Sequence, residues 1–219
     1  MGRQGLGVRM IAALYVQKNG CYYGLDDVDP WDIERDARTY AGPWPVVAHP
    51  PCERWSVLAP MVEKINGYKV GDDGGCFAAA LHAVRTYGGV LEHPARSLAW
   101  KAFGLPRPMV TGGWYSGTCG GWSCEVMQWH YGHRAVKRTW LYAYTRDCIE
   151  LPSLIQRPLP EWACPAYVTD GGGRVKRGRG TVPDPNRKRL TKKQADATPI
   201  PFRDLLLSIA RSARVEVAA

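Results

Sequence analysis

The chain has 219 residues, 45% of them hydrophobic and 22% charged, with a formal net charge of +9. That length is one ordinary domain with an appendage, or at most two small domains, and it buries a core that needs neither disulfides nor metal as staples. No run of 18 uninterrupted apolar residues occurs, which excludes a membrane-spanning helix, and residues 1–7 lack the apolar core of an export signal, so the expected location is the cytoplasm.

In chain order, residues 8–16 (VRMIAALYV) form an apolar run of strand length. Asp29-Pro30 then opens DPWDIERDARTY, with Asp29 as helix cap and Pro30 as first helical residue. Residues 45–49 (PVVAH) are a short buried strand stopped by Pro50-Pro51. After Gly74-Gly75, CFAAALHAVRTYG carries Phe77, Ala80, Leu81, Val84 and Tyr87 at helical spacing, and Gly88-Gly89 end it. Val90 to Glu92 is another strand, and 98–103 a short helix. Residues 104–125 read as Gly/Trp-rich loop, and 138–144 (RTWLYAY) as a strand. A final helix over 198–214 has the stripe Phe202, Leu205, Leu206 and Ile209. Strands alternating with helices predict an α/β fold, a mostly parallel sheet with helices on both faces. Ligands of such sheets sit beyond the carboxyl ends of the strands. The expected organisation is a core over 1–165, a basic flexible loop over 166–197, and a terminal helix over 198–219 that packs back on the core.

The charge is concentrated. Arg174, Lys176, Arg177, Arg179, Arg187, Lys188, Arg189, Lys192 and Lys193 face one acid, Asp184, so residues 171–193 carry +8 and the rest of the chain about +1. With seven Gly and Pro and little apolar surface, the segment is expected to stay flexible. Its basic side chains suit phosphate contact and predict a nucleic acid as partner, DNA or RNA; a solvated linker is the other reading. The 7 cysteines form no regular framework and are expected as reduced thiols. Cys119, Cys124, His130 and His133 are poorly spaced for zinc, so no metal is expected.

Chemistry is suggested at two strand ends. HPPCERWS places Cys52 on a turn stiffened by two prolines, with Arg54 near enough in sequence to favour a thiolate. Glu92 closes the next strand, in VLEHP. PPCERWS resembles the Pro-Cys catalytic loop of the DNA cytosine-5 methyltransferases, LEHP their Glu-Asn-Pro motif, and Arg138 in RAVKRTWLYAY the last arginine of their Gln-Arg-Arg-x-Arg motif. The three occur in the family's order, 40 and 46 residues apart. The ending TPIPFRDLLLSIA is similar to the terminal helix of small methyltransferases of phage or prophage type.

The resemblance implies a Rossmann-like, methyltransferase-like fold and DNA base modification. A flipped cytosine is attacked at carbon 6 by the Cys52 thiolate, while a protonated Glu92 binds nitrogen 3. Arg138, and with it Arg134, would orient the base and the thiolate loop; Pro51, Arg54, Ser56, His93 and Arg134 would bind the base, with Trp55 and His93 walling the pocket or else packing the core. S-adenosylmethionine is the implied methyl donor, with Asp27 or Asp29 at its ribose. The chain departs from the family where its first strand ends in YVQKNGCYYG instead of a glycine-bearing cofactor turn, and where His93 replaces asparagine. Arg134, Ala135 and Val136 stand where Gln, Arg and Arg are expected. Two alternatives stay open: a cofactor-free methyltransferase-like protein that contacts DNA, and a base-modifying enzyme with another donor.

Overall fold

A computed structural model describes residues 10–109, 111–118, 120–145, 174–177, 180–183 and 190–213. Strand β1 (Ile11–Leu14) is buried along its whole length. Ala12 and Leu14 enter one hydrophobic cluster, Ile11 and Ala13 a second on the opposite face. A strand covered on both faces needs this unbroken apolar run.

The segment expected to open a helix at Asp29 is instead strand β2 (Val28–Trp31), parallel to β1. Pro30 stands opposite Ala13 in an edge strand, where its missing N–H is tolerated. Two 3-10 turns, Ile33–Arg35 and Ala37–Thr39, follow in place of an α-helix. Asp32 caps the first, and Asp36, in the left-handed region at φ 31, separates them.

Strand β3 (Val46–Ala48) lies on the other side of β1, and helix α1 (Ala59–Asn66), not foreseen, follows it. Helix α2 (Cys76–Tyr87) forms as its spacing predicts and buries Phe77, Ala80, Leu81 and Val84. Asp73 holds its start, accepting from the Phe77 backbone N–H and from Trp55 Nε1, both at 2.8 Å. Strand β4 (Gly89–Pro94) pairs parallel with β3. A Cβ at Gly89, φ +118, would lie 2.0 Å from the Val46 carbonyl oxygen, so this closeness of β3 and β4 requires glycine. Helix α3 (Leu98–Ala102) is short and capped by Ser97.

Residues 104–125 are not all loop: they include β5 (Tyr115–Ser116) and most of β6 (Trp122–Met127). β6 pairs antiparallel with β7 (Arg138–Tyr144), and β7 antiparallel with β4. The sheet order is β2-β1-β3-β4-β7-β6-β5. Three of its six pairings are parallel and three antiparallel, so the sheet is mixed, not mostly parallel. The link between β6 and β7 is too short for a parallel crossover, which takes a dozen or more residues.

Helix α2 packs on one face of the sheet, with Phe77, Trp100 and Trp140 in its cluster. Helix α5 (Ile200–Ser212) covers β1, β3 and β4 on the other, burying Phe202, Leu206, Leu207 and Ile209 and leaving Leu205 partly exposed. Full burial of such a side chain stabilises by about 1.5–3 kcal/mol.

The basic segment holds more order than predicted. Strands β8 (Arg174–Arg177) and β9 (Gly180–Pro183) pair antiparallel with Val175 opposite Val182. Helix α4 (Lys192–Asp196) starts on a capping box between Thr191 and Gln194. Arg179, Arg187, Lys188 and Arg189 lie outside the described residues, as do Cys119, Cys148 and Cys164.

Candidate active site

β3 and β4 run side by side, and their carboxyl ends deliver His49, the Cys52 turn and Glu92 to one place. The His49 backbone N–H donates to the Leu14 carbonyl at 3.0 Å, extending the ladder with β1. The turn is pinned by Trp55 N–H to the Cys52 carbonyl at 3.0 Å and by Leu98 N–H to the Trp55 carbonyl at 2.8 Å.

Alternation assigns the faces. Val90 belongs to the α5-side cluster and Leu91 to the α2-side cluster, so Glu92 faces α5 and His93 faces α2. His49 shares Glu92's face: its Nδ1 is 3.4 Å from Glu92 Oε1. The loop after β1 brings in Tyr22, 3% exposed, whose hydroxyl is 2.8 Å from His49 Nε2. Burial above all, with Cys21 and Glu92 adding to it, pushes the Tyr22 pKa well up, so it stays a phenol. A ring with a proton on Nδ1 donates towards Glu92.

Glu92 keeps 16% of its side chain exposed. Burial pulls its pKa up, but the hydrogen bond and charge of His49, with Lys137 and His93, outweigh it, and the carboxyl ends below its ordinary value. It is a carboxylate at neutral pH, not the protonated acid expected. The half-buried Cys52 is pushed up to about 11, first by burial, then by the charges of Glu92 and Glu53, with Lys137 pulling the other way. The expected thiolate is therefore absent. Arg54 does not supply it, because its guanidinium lies over the Tyr68 ring at 4.0 Å.

Arg138 stands on the other face of the sheet from Glu92. Glu92 is opposite Leu141, of the α5-side cluster, and Arg138 is three residues from Leu141. Its guanidinium is bonded to Glu125, whose other oxygen accepts from Trp140 Nε1 at 2.8 Å. Lys137, one residue earlier and at φ 38, is the cation that acts on both Glu92 and Cys52. Arg134 is exposed in the loop before β7.

His93 and Trp55 are core side chains and not pocket walls. His93, 1% exposed, sits between Phe77 and Trp100, with Nδ1 2.8 Å from Ser97 Oγ and Nε2 3.5 Å from the exposed Pro51's carbonyl. Trp55 packs on Phe77 and Phe103. Ser56 is half-buried, its carbonyl accepting from Ala59 N–H at 2.9 Å. An open cleft of about 560 Å³ lined by Arg107, Met109 and Tyr115 contains none of these groups.

The loop after β1 does not fit the implied S-adenosylmethionine. Where a glycine-bearing turn would leave room for a nucleoside, the buried Tyr22 ring lies against His49 at 5.4 Å. The two candidate ribose acids have internal partners: Asp29 binds Arg35 and Trp31 Nε1, and Asp27 binds Arg211 of α5 at 2.6 Å. Among the described residues no group of three or more His, Cys, Asp or Glu is placed to hold a metal ion.

The sequence singles out Cys52 and Glu92, and its HPPCERWS patch begins at His49 without giving that residue a role; Tyr22 and Lys137 were missed. His49, the last residue of the predicted strand, carried a signal: in a parallel sheet such a residue faces the crevice. Tyr22 carried none, being brought in by a loop. No family model matches the chain, nor does any curated protein or solved structure.

Proposed function

We propose that the protein engages a pyrimidine base of DNA at the ends of β3 and β4, with Cys52 as nucleophile towards carbon 6 and Glu92 as the group that serves nitrogen 3. One observation carries this reading. Cys52 and Glu92, 40 residues apart in sequence, lie by the ends of adjacent strands, near enough for the charge of Glu92 to raise the thiol's pKa. The resemblance to cytosine-5 methyltransferases names the same two residues in the same order. The sheet is compatible with a methyltransferase-like one: β4 and β6 run parallel with antiparallel β7 between them. The basic segment supplies phosphate contacts. Arg138 is left out of the chemistry and Lys137 takes its place beside the reacting pair. The group transferred to carbon 5, and its donor, are not assigned, because the loop after β1 does not match the S-adenosylmethionine turn.

The test is covalent trapping. DNA carrying 2-pyrimidinone accepts a thiolate at carbon 6 without any donor, and DNA carrying 5-fluorocytosine is trapped when S-adenosylmethionine is the donor. The expected result is a denaturation-resistant complex with the first DNA, abolished by Cys52→Ser. DNA binding with no adduct on either substrate would overturn base modification and favour a protein that only contacts DNA. An adduct with 5-fluorocytosine DNA that depends on S-adenosylmethionine would establish that donor despite the missing turn.

A further inference from the structure

We propose that Tyr22 and His49 hold Glu92 as the base that takes the proton of Cys52, so that one proton transfer arms both groups for attack on the nucleobase. The proposal rests on the reading of Cys52 and Glu92 as the reacting pair. It starts from a mismatch: addition to carbon 6 needs a thiolate and a proton donor at nitrogen 3, and the free protein presents a thiol and a carboxylate.

Among the groups around the pair, Glu92 is the carboxylate that other side chains hold in place. Glu53 is exposed and solvated. His93 is buried against Phe77 and Trp100, and both its nitrogens have partners. His49 has Nε2 on the Tyr22 hydroxyl and Nδ1 on Glu92 Oε1. Of the two carboxylates whose charge reaches Cys52, Glu53 is exposed and Glu92 is mostly buried and held by His49. Behind Tyr22, Arg203 and Asp204 of α5 add charge, and Arg203 ties α5 to this loop by donating to the Cys21 carbonyl at 2.8 Å. Lys137 is the cation whose charge acts on both members of the pair.

The step balances. The S–H bond of Cys52 breaks and an O–H bond forms on Glu92. The thiolate pair forms the S–C6 bond, and the electrons of the 5,6 double bond move into the ring towards nitrogen 3. Nitrogen 3 takes the proton from Glu92, which returns to carboxylate. The transfer also removes the negative charge that had opposed ionisation of the thiol. A base filling the crevice excludes water and favours neutral Glu92. Tyr22 and His49 are positioning residues: they act through Glu92 by fixing one of its oxygens.

The rate of carbon 6 addition to 2-pyrimidinone DNA, at saturating DNA, discriminates. A thiol paired with a carboxylate carries the same number of protons as a thiolate paired with an acid. The rate is therefore expected to be flat between about pH 6 and 9. A rise of about tenfold per pH unit over that range would mean attack by independently formed thiolate, and would overturn the proposal. His49→Phe is expected to move the acidic limb up by about one pH unit or more, and His49→Asn, which keeps a donor near the Nδ1 position, to restore most of it. Tyr22→Phe gives a smaller shift in the same direction. A ¹³C NMR titration of the Glu92 carboxyl in the DNA-free protein gives a second readout. Its midpoint should rise in His49→Phe, and an unchanged midpoint in that variant, shown folded by its amide spectrum, would overturn the role of His49. Wild-type protein that binds the DNA yet adds to nothing would instead overturn the base-modification reading itself, while the NMR result stands apart.

Discussion

At the residue scale, neighbours decide what each ionisable group does. His93 occupies the position where the family resemblance calls for a polar group beside Glu92, yet the alternation of β4 turns it into the α2-side core. Burial pushes its pKa down to about 4, against the opposing charge of Glu92. The folded state therefore favours neutral His93, whose unfolded pKa is near 6.5. Its contribution is fully present above about pH 6.5 and is lost as pH falls towards 4, up to about 3 kcal/mol for this group. Glu92, also lowered, loses its contribution in the same direction at lower pH. Urea unfolding at a series of pH values should show stability falling over the His93 window, and His93→Gln should reduce that fall. Cys52 and Glu92 stand out in their local sequence as candidates for chemistry. Their protonation states are not legible there, since these depend on His49, Lys137 and burial, all set by the fold. Arg54 shows the same limit: two residues from Cys52, it is drawn onto Tyr68 instead.

At the scale of elements, periodicity was a reliable guide where burial is one-sided or total. Helix α2 and strand β7 lie where the pattern puts them. Reading failed at Asp29-Pro30, whose cap signature is genuine chemistry that pairing with β1 overrides. It failed also at β6, where glycines and tryptophans hid a strand whose partner, β7, is supplied from further along the chain. Backbone closeness is similarly non-local. Gly89 is required because Val46, from another strand, leaves no room for a Cβ. Gly89→Ala is expected to cost about 2 kcal/mol or more, by strain and by separating β3 from β4 beneath the site. Gly24→Ala, at φ +76 with nothing within 4 Å, is expected to cost only about 1 kcal/mol. Urea midpoints of the two variants check the contrast, and equal losses would show that β3 and β4 tolerate the extra atom.

For the whole molecule, the charge distribution makes the strongest functional statement. Residues 171–193 hold +8 of the +9, and the site pair lies on a separate, nearly neutral body of sequence. Counterion release then predicts DNA affinity that falls steeply with salt, carried by that segment. Deleting residues 171–193 should weaken binding and flatten the salt dependence, measured by fluorescence anisotropy across a salt series; an unchanged slope would remove the segment from the interface. Such a variant tests the partner independently of Cys52.

Composition, charge placement and apolar periodicity are properties of short stretches of chain. The sequence by itself therefore determined an α/β domain, a basic segment, and a thiol and a carboxyl at two strand ends. Strand direction, the face on which each side chain falls and the charge felt by each group depend on contacts between distant segments. So only the tertiary structure decided that the sheet is mixed, that Arg138 lies across the sheet from Glu92, and that Tyr22 and His49 stand behind that carboxylate.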